Sequence, residues 1–124
     1  MLYPRIYLDN VTQITSSILT KNNITGLILD VDNTLIDFNK NMLDGVKEWC
    51  ENLKKEGIRF CILSNSNKKE KIEKVANELN IPYINFAKKP FKKGFLRAKD
   101  ILNLKNENIA VVGDQIFTDI IRSK

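Results

Sequence analysis

The sequence predicts an α/β fold in which a doubly wound parallel sheet is flanked by helices. Four short and nearly continuous apolar segments alternate with segments whose apolar residues recur every three or four positions. Continuous apolar strands are typical of parallel sheets, which are buried on both faces. Their regular alternation with helices is typical of a Rossmann-like arrangement. The 124 residues suit one domain, which we assign to residues 1–124.

The first half of the chain is predicted to contain two helices and a strand. A short helix is expected within residues 9–21, and the segment GLILDV at 26–31 is expected to form a buried strand. Residues 44–56 are predicted to form a helix because their apolar residues have helical spacing and Gly57 stands where helices commonly end. Those apolar residues are Val46, Trp49, Cys50 and Leu53.

The second half continues the alternation with three strands and two helices. Asn67 and Glu70 have the spacing of a capping box, which predicts the start of a helix. The predicted strands are at 58–64, 82–87 and 109–114. The helix after Asn67 is expected to bury Ile72, Val75, Ala76 and Leu79, and the helix at 92–103 has Phe95, Leu96, Ile101 and Leu102 as apolar residues.

The chain contains no histidine, and this absence excludes several classes of enzyme. Ser-His-Asp catalysis, Cys-His catalysis and histidine-ligated zinc all require that residue. Cys50 and Cys61 lie in apolar segments without a CxxC spacing, which indicates buried thiols in a reducing compartment. The C-x5-R signature of cysteine phosphatases is also absent, because Glu56 and Asn67 stand where arginine is required.

Polar and charged residues follow each predicted strand at the point where it ends. Ligands of such folds bind at this carboxyl edge of the sheet. Several carboxylates in one cleft raise each other's pKa unless a cation lies between them, and Mg²⁺ suits a site with few carboxylates that leaves room for a phosphate. The residues are Asp30, Asp32 and Thr34 after the first strand, Ser64 and Asn65 after the second, Lys88 and Lys89 after the third, and Asp114 and Asp119 after the fourth.

This set of residues matches the requirements of phosphoryl transfer. That reaction needs a metal clamp, a positive charge, hydrogen-bond donors and a positioned nucleophile. Thr34, Ser64 and Lys89 are candidate donors to a phosphoryl group. If the first strand stays extended, Asp30 and Asp32 point to the same side of the chain.

Four motifs then resemble a known superfamily. DVDNT, ILSNS, AKKP and VVGDQIFTD, in this order, resemble the signature motifs of the haloacid dehalogenase (HAD) superfamily. More narrowly, DNTL, AKKP and GDQIFTD resemble the YqeG-type branch, class IIIA phosphatases related to mitochondrial phosphatidylglycerophosphatases. The ordered set, each member at a predicted strand end, is far more specific than one DxDxT alone.

The resemblance implies a role for each motif residue. Asp30 would be the nucleophile that forms an aspartyl-phosphate, and Asp32 would be the general acid and then the general base. Ser64 and Asn65 would bind the phosphoryl oxygens, and Thr34 would either join them or act as an ordinary turn or cap residue. Lys89, which matches the motif better than Lys88, would neutralise the phosphoryl charge. The metal ligands would be Asp30, Asp32 through its backbone carbonyl, Asp114 and Asp119.

The motif spacing predicts an open site. Only 34 positions separate Asp30 from Ser64, and 25 separate Ser64 from Lys89, so neither interval has room for the cap domain of many HAD enzymes. The HAD-like fold is therefore expected without a cap. The chain also continues only five residues beyond Asp119, so we expect a C-terminally short sheet whose fourth strand needs a partner, such as a second subunit.

These observations predict a Mg²⁺-dependent phosphatase that hydrolyses phosphate monoesters through an aspartyl-phosphate. By resemblance alone, the substrate would be a phosphatidylglycerophosphate-like lipid or another large ester. The alternatives are a small-metabolite or phosphoprotein phosphatase, and a catalytically impaired binding module of the same fold.

The composition predicts a cytoplasmic protein, because the sequence has neither a signal-peptide pattern nor an apolar run long enough to span a membrane. The net charge of +5 indicates a solvated lysine-rich surface or attraction to an anionic partner, and transient contact with a membrane surface fits this charge. No nucleic-acid partner is expected, because the lysines lack the interleaved aromatic residues of single-strand binding surfaces.

Overall fold

The computed structural model describes residues 11–31, 35–36, 41–64, 69–85 and 91–112. They form four strands and four helices in alternation, as predicted. The strands are β1 (Gly26–Leu29), β2 (Arg59–Ser64), β3 (Tyr83–Asn85) and β4 (Ile109–Val112). The helices are α1 (Ser16–Lys21), α2 (Val46–Lys55), α3 (Lys69–Leu79) and α4 (Phe91–Leu102), with short 3-10 turns at Val11–Gln13 and Asn106–Asn108.

The strands form one parallel sheet in the order β3-β2-β1-β4. β1 lies between β2 and β4, with Leu29 opposite Ile62 on one side and opposite Val112 on the other. The chain adds β2 and β3 on one side of β1 and then returns to place β4 on the other side. The strand order therefore reverses between β1 and β4, which is where open α/β sheets bind their ligands.

Helices cover both faces of this sheet. The ring of Trp49 in α2 meets the ring of Phe60 in β2 edge to face, with centroids 5.5 Å apart. Phe60 is level with Leu27. A Cβ on the neighbouring Gly26 would instead meet Leu104, just after α4, and Leu102 at the end of α4. Because successive strand residues face opposite sides, α2 and α4 cover opposite faces. The predicted doubly wound α/β fold is confirmed.

Helix ends use residues with positive φ. Gly57 has φ +92°, and the N–H groups of Gly57 and Ile58 donate to the carbonyls of Lys54 and Leu53 at 3.0 and 3.1 Å. This is the Schellman pattern, and it ends α2 where the sequence predicted. Asparagines take the corresponding positions after the other three helices, namely Asn23, Asn80 and Asn103 with φ 60°, 54° and 56°.

The buried residues agree with the predicted cores of α2 and α3, and in α4 only some of the apolar residues are buried. All four predicted apolar residues of α2 are buried, as are those of α3. In α4, Phe95, Ala98 and Leu102 are buried, but Leu96 and Ile101 are 46% and 45% exposed. The reason is geometric, since one residue turns the helix by about 100°. Leu96 therefore faces away from the side that carries Phe95.

Several predicted boundaries change. The strand predicted at 26–31 ends at Leu29, and the helix expected within 9–21 is a 3-10 turn followed by the six-residue α1. The side chain of Thr15 accepts a hydrogen bond from the N–H of Ile18 at 3.2 Å and so caps α1. The predicted cap residue Asn67 lies outside the described residues. Within the described ranges, no helix is long and apolar enough to cross a membrane.

Candidate active site

Asp30 lies directly after β1, at the carboxyl edge of the sheet. Its backbone N–H donates to the carbonyl oxygen of Val112 at 3.0 Å, so it is tied to the end of β4. Its carboxylate oxygen Oδ1 accepts a hydrogen bond from the N–H of Val31 at 2.8 Å. The residue is half-buried. The main chain therefore fixes the carboxylate position at the point where the strand order reverses.

The chain turns sharply after Asp30. The carbonyl oxygen of Val31 accepts hydrogen bonds from the N–H groups of Leu35 and Ile36 at 3.0 and 3.3 Å. The segment then runs back, because Ile36 pairs antiparallel with Met42 and the Leu43 N–H donates to the Leu35 carbonyl at 2.9 Å. β1 therefore ends before Asp32, which lies outside the described residues, and the direction of the Asp32 side chain stays a prediction.

Val31, Leu35 and Ile36 hold this turn in place. All three side chains are buried in the hydrophobic core. Full burial of an aliphatic side chain contributes roughly 1.5–3 kcal/mol. Val31, directly after Asp30, and the apolar residues Leu35 and Ile36 further along therefore anchor the chain next to Asp30, and the position of Asp30 depends on that anchoring.

Ser64 is the last residue of β2 and lies at the same edge. It is 3% exposed, and among the described residues it is the buried polar side chain of the core. β2 is the direct neighbour of β1, so Asp30 and Ser64 stand at the carboxyl ends of adjacent parallel strands. Asn85 at the end of β3 is level with Ser64.

The remaining predicted site residues lie outside the described residues. The structure therefore brings two members of the predicted set, Asp30 and Ser64, to one edge. The others stay predictions; they are Asp32, Thr34, Asn65, Lys88, Lys89, Asp114 and Asp119. Among the described residues, no three acidic or cysteine side chains come together as a metal site. The one described member of the predicted ligand set, the half-buried carboxylate of Asp30, fits a hard cation with oxygen ligands.

Both cysteines are buried and free. Burial raises the pKa of the Cys50 thiol to about 11 and that of the Cys61 thiol to about 12. A thiol must ionise to act as a nucleophile, so both stay neutral and inert near neutral pH. This agrees with the interpretation of the two cysteines as core residues.

A cavity of about 490 Å³ lies at the opposite, amino-terminal edge of the sheet. Its lining includes Lys54, Arg59 and the exposed Ile101. The Lys54 ammonium donates to the carbonyls of Leu79 and Asn80, and the Arg59 guanidinium donates to the carbonyl of Leu102 at 2.7 Å. These cations therefore cap the ends of α3 and α4. This cavity is separate from the edge that carries Asp30.

No feature of the sequence indicates the backbone partners of Asp30. The Val31 N–H and the Val112 carbonyl are main-chain groups, and no residue type marks them. The strand predicted at 82–87 is described from Tyr83 to Asn85. Residues 86 and 87 lie outside the described residues.

The comparison with known protein families decides the identity of this site. The model of the haloacid dehalogenase-like hydrolases matches residues 39–121. The chain belongs to this family. It is also 37% identical over 119 residues to "Probable phosphatase YqeG" of Bacillus subtilis (strain 168), which covers 95% of this chain and 69% of that protein. The predicted YqeG-type HAD family and the predicted phosphatase class are therefore confirmed.

A solved HAD-like structure is similar in fold. It is described as the structure of a "putative 3-deoxy-D-manno-octulosonate 8-phosphate phosphatase" from Vibrio cholerae, and it matches with a TM-score of 0.62 at 19% identity. The match covers 82% of this chain, and the chain spans 62% of that structure. This likeness supports the α/β fold. Members of the superfamily generally depend on a metal ion.

Proposed function

We propose that this chain hydrolyses phosphate monoesters, with Asp30 as the nucleophile. The observation that carries the proposal is the position of Asp30. Its backbone continues the ladder between β1 and β4, and its carboxylate is held by the Val31 N–H. A nucleophile fixed in this way needs little reorganisation to attack a bound phosphoryl group.

The reaction proceeds in two displacements. A carboxylate oxygen of Asp30 attacks phosphorus, and the bond from phosphorus to the ester oxygen breaks as Asp32 gives that oxygen a proton. Water then attacks phosphorus in the aspartyl-phosphate while Asp32 takes its proton. The bond from phosphorus to Asp30 breaks, which releases inorganic phosphate, restores the Asp30 carboxylate and leaves Asp32 protonated for the next cycle.

The other site residues stabilise charge and position the phosphoryl group. The Ser64 hydroxyl and the Asn65 amide donate to phosphoryl oxygens, with Thr34 as an additional donor, and Lys89 neutralises negative charge. Asp30, Asp32, Asp114 and Asp119 would hold Mg²⁺. When bound, this ion supplies positive charge against the phosphoryl oxygens.

The substrate that we propose is a large phosphate ester, such as a phosphatidylglycerophosphate-like lipid. The support is the resemblance to the YqeG-type branch and the short intervals between Asp30, Ser64 and Lys89, which leave no room for a cap. A panel of phospholipid, sugar and nucleotide monophosphates tests this choice. Preference for a sugar or nucleotide phosphate would favour the small-metabolite alternative.

Hydrolysis of p-nitrophenyl phosphate tests the mechanism. Asp30→Asn keeps an oxygen that can accept from the Val31 N–H, so the variant should fold. We expect it to lose at least about 1,000-fold in kcat, as removal of a nucleophile does in other enzymes. Asp100→Asn on the exposed surface of α4 is the matched control and should retain activity. EDTA should abolish the activity, and added Mg²⁺ should restore it.

Two results would overturn this proposal. The first is activity that survives either EDTA or Asp30→Asn. The second is a folded wild-type chain with no phosphatase activity on any ester of the panel, which would favour the binding module. Labelled phosphate from a ³²P-substrate should also stay on acid-quenched wild-type protein and be released by hydroxylamine, as from any acyl phosphate.

A further inference from the structure

Helix α4 has a buried side and a cationic outer side. Phe95, Ala98 and Leu102 face the core. Lys92, Lys93, Leu96 and Arg97 are exposed, and we call these four residues the basic face of α4. Their outward position follows from the burial of the opposite side of the same helix.

Leu96 lies in the middle of the basic face. Lys92 and Lys93 precede it by four and three positions and are its neighbours on the helix surface, and Arg97 follows it directly. Its side chain is 46% exposed, although it is large and apolar. None of the three cations forms an ion pair with another described residue.

Positive charge is concentrated in the residues that lead into this helix and along it. Six of the twelve residues at positions 88–99 are Lys or Arg, and none of the twelve is acidic. The first acid is Asp100, which lies four positions after Leu96 and three after Arg97. The amino-terminal half of α4 is therefore cationic, while the carboxyl-terminal half is mixed.

The basic face begins at the catalytic edge of the sheet. β3 ends at Asn85, level with Ser64, and α4 starts at Phe91. A helix that connects two parallel strands runs back along the sheet, so the first turn of α4 lies at the carboxyl edge and its end lies near Gly26. Asp30 and Ser64 stand at that same carboxyl edge.

We propose that the basic face of α4 docks on an anionic lipid surface. Each Lys or Arg near such a surface adds to the attraction, and an exposed leucine gains further by entering the boundary between headgroups and acyl chains. Docking in this way places the open catalytic edge beside the phosphate groups of the surface. The consequence for substrate rests on the proposed function, but docking itself does not require catalysis.

The exposed leucine distinguishes a lipid surface from other polyanions. A nucleic acid is attracted by the cations through its phosphates, and an acidic protein is attracted in the same way. Neither needs an apolar side chain at the centre of the cationic patch, whereas insertion into a bilayer uses it directly. Dependence on Leu96 is therefore the decisive property.

Vesicle co-sedimentation of the full chain tests docking without substrate. Vesicles of phosphatidylcholine alone are compared with vesicles in which roughly a quarter of the lipid is phosphatidylglycerol, an anionic lipid. We expect the wild type to bind the anionic vesicles and not the neutral ones. The triple variant Lys92→Glu, Lys93→Glu, Arg97→Glu should bind at least about 30-fold more weakly.

Matched variants separate the effect of the basic face on binding from the effect of net charge. A second triple variant changes the net charge equally at exposed positions of α2 and α3, namely Lys47→Glu, Lys55→Glu, Lys74→Glu. This control should bind at least about 10-fold more tightly than the triple variant of the basic face. Leu96→Ser should weaken binding about 5- to 10-fold, whereas Ile101→Ser, which alters an equally exposed residue outside the face, should bind like the wild type. Circular dichroism checks that each variant is folded.

The outcomes are separable. Equal loss in both triple variants, or wild-type binding by Leu96→Ser, would overturn docking on lipid. Stronger binding of the basic face to a single-stranded oligonucleotide than to anionic vesicles would overturn it in favour of a nucleic acid. Vesicle binding without hydrolysis of p-nitrophenyl phosphate would count against the proposed function alone, and hydrolysis without vesicle binding would count against docking alone.

Discussion

The backbone N–H of Asp30 donates a hydrogen bond to the carbonyl oxygen of Val112 at 3.0 Å. This bond extends the β1–β4 pairing by one residue beyond the last paired residues, Leu29 and Val112. The proposed nucleophile is therefore part of the hydrogen-bonded sheet even though it follows the strand. Asp114, a proposed metal ligand, comes two positions after Val112 in the chain.

Amide exchange should show this connection directly. We expect the Asp30 amide to exchange with deuterium as slowly as the amides of β1, because opening it requires separation of β1 from β4. The amide of Asp44, an exposed residue in a turn, serves as the reference for fast exchange. Exchange of the Asp30 amide at the rate of that reference would show that the bond to Val112 does not persist in solution.

Ser64→Ala should impair catalysis with little effect on folding. The hydroxyl of Ser64 is the proposed phosphoryl donor at the end of β2, and removal of one such donor costs on the order of 100-fold in kcat/KM. Ser17→Ala in the exposed first turn of α1 is the control. Unchanged kcat/KM in Ser64→Ala would leave Ser64 as an ordinary residue of the strand end.

Trp49→Phe should destabilise the protein, because it removes one buried hydrogen bond and part of the ring that packs on Phe60. The indole Nε1–H of Trp49 donates to the buried carbonyl of Ile14 at 2.7 Å, and phenylalanine leaves that carbonyl without the donor. Loss of a buried partner costs about 1–3 kcal/mol. Urea unfolding should therefore give a lower midpoint with an unchanged slope. A midpoint equal to that of the wild type would mean that water replaces the indole.

The buried thiol of Cys61 should make stability fall at alkaline pH. Its pKa is 9.0 in the unfolded chain and about 12 in the folded protein, because burial disfavours the thiolate. Above pH 9.0 the unfolded chain releases the proton while the folded protein keeps it. The contribution of the neutral Cys61 thiol to the free energy of unfolding is therefore fully present below pH 9.0. It is lost as the pH rises from 9.0 toward about 12.

Comparison with Cys61→Ala isolates this effect from other groups that titrate in the same range. The free energy of unfolding of the wild type, relative to the variant, should decline from pH 9.0 upward. Cys50→Ala should reveal the same sign over a narrower window, from pH 9.0 to about 11. A stability difference that does not vary with pH would contradict the assigned cause.

The periodic signals in the sequence were sufficient for the fold. The spacing of Val46, Trp49 and Leu53 predicted the buried side of α2, and Gly57 predicted its end. In α4, apolar identity alone does not say which side of the helix a residue occupies. Leu96 is apolar and exposed, and only its position relative to Phe95 and Ala98 shows this.

The sequence was sufficient to predict which residues stand at the strand ends of the candidate site, but not the path of the main chain around them. Asp30 and Ser64 were correctly placed at the carboxyl edge of one parallel sheet, because a buried apolar run that stops at a polar residue indicates a strand end. The turn at Val31 and the short return between Ile36 and Met42 were not predicted. They depend on main-chain hydrogen bonds and core packing, for which the motif residues give no direct signal.

The strand order has a consequence for how the protein folds. Pairing of β1 with β2 joins Gly26 to Arg59, whereas pairing of β1 with β4 joins Gly26 to Ile109, across a far longer loop. Because of chain entropy, closing the longer loop costs only about 0.8 kcal/mol more in free energy. Contacts between residues that are remote in sequence nevertheless slow folding. The bond between Asp30 and Val112 therefore belongs to the most remote strand pairing of the described sheet. We therefore expect β1, β2 and β3 to pair first during refolding and activity to return only when β4 pairs with β1.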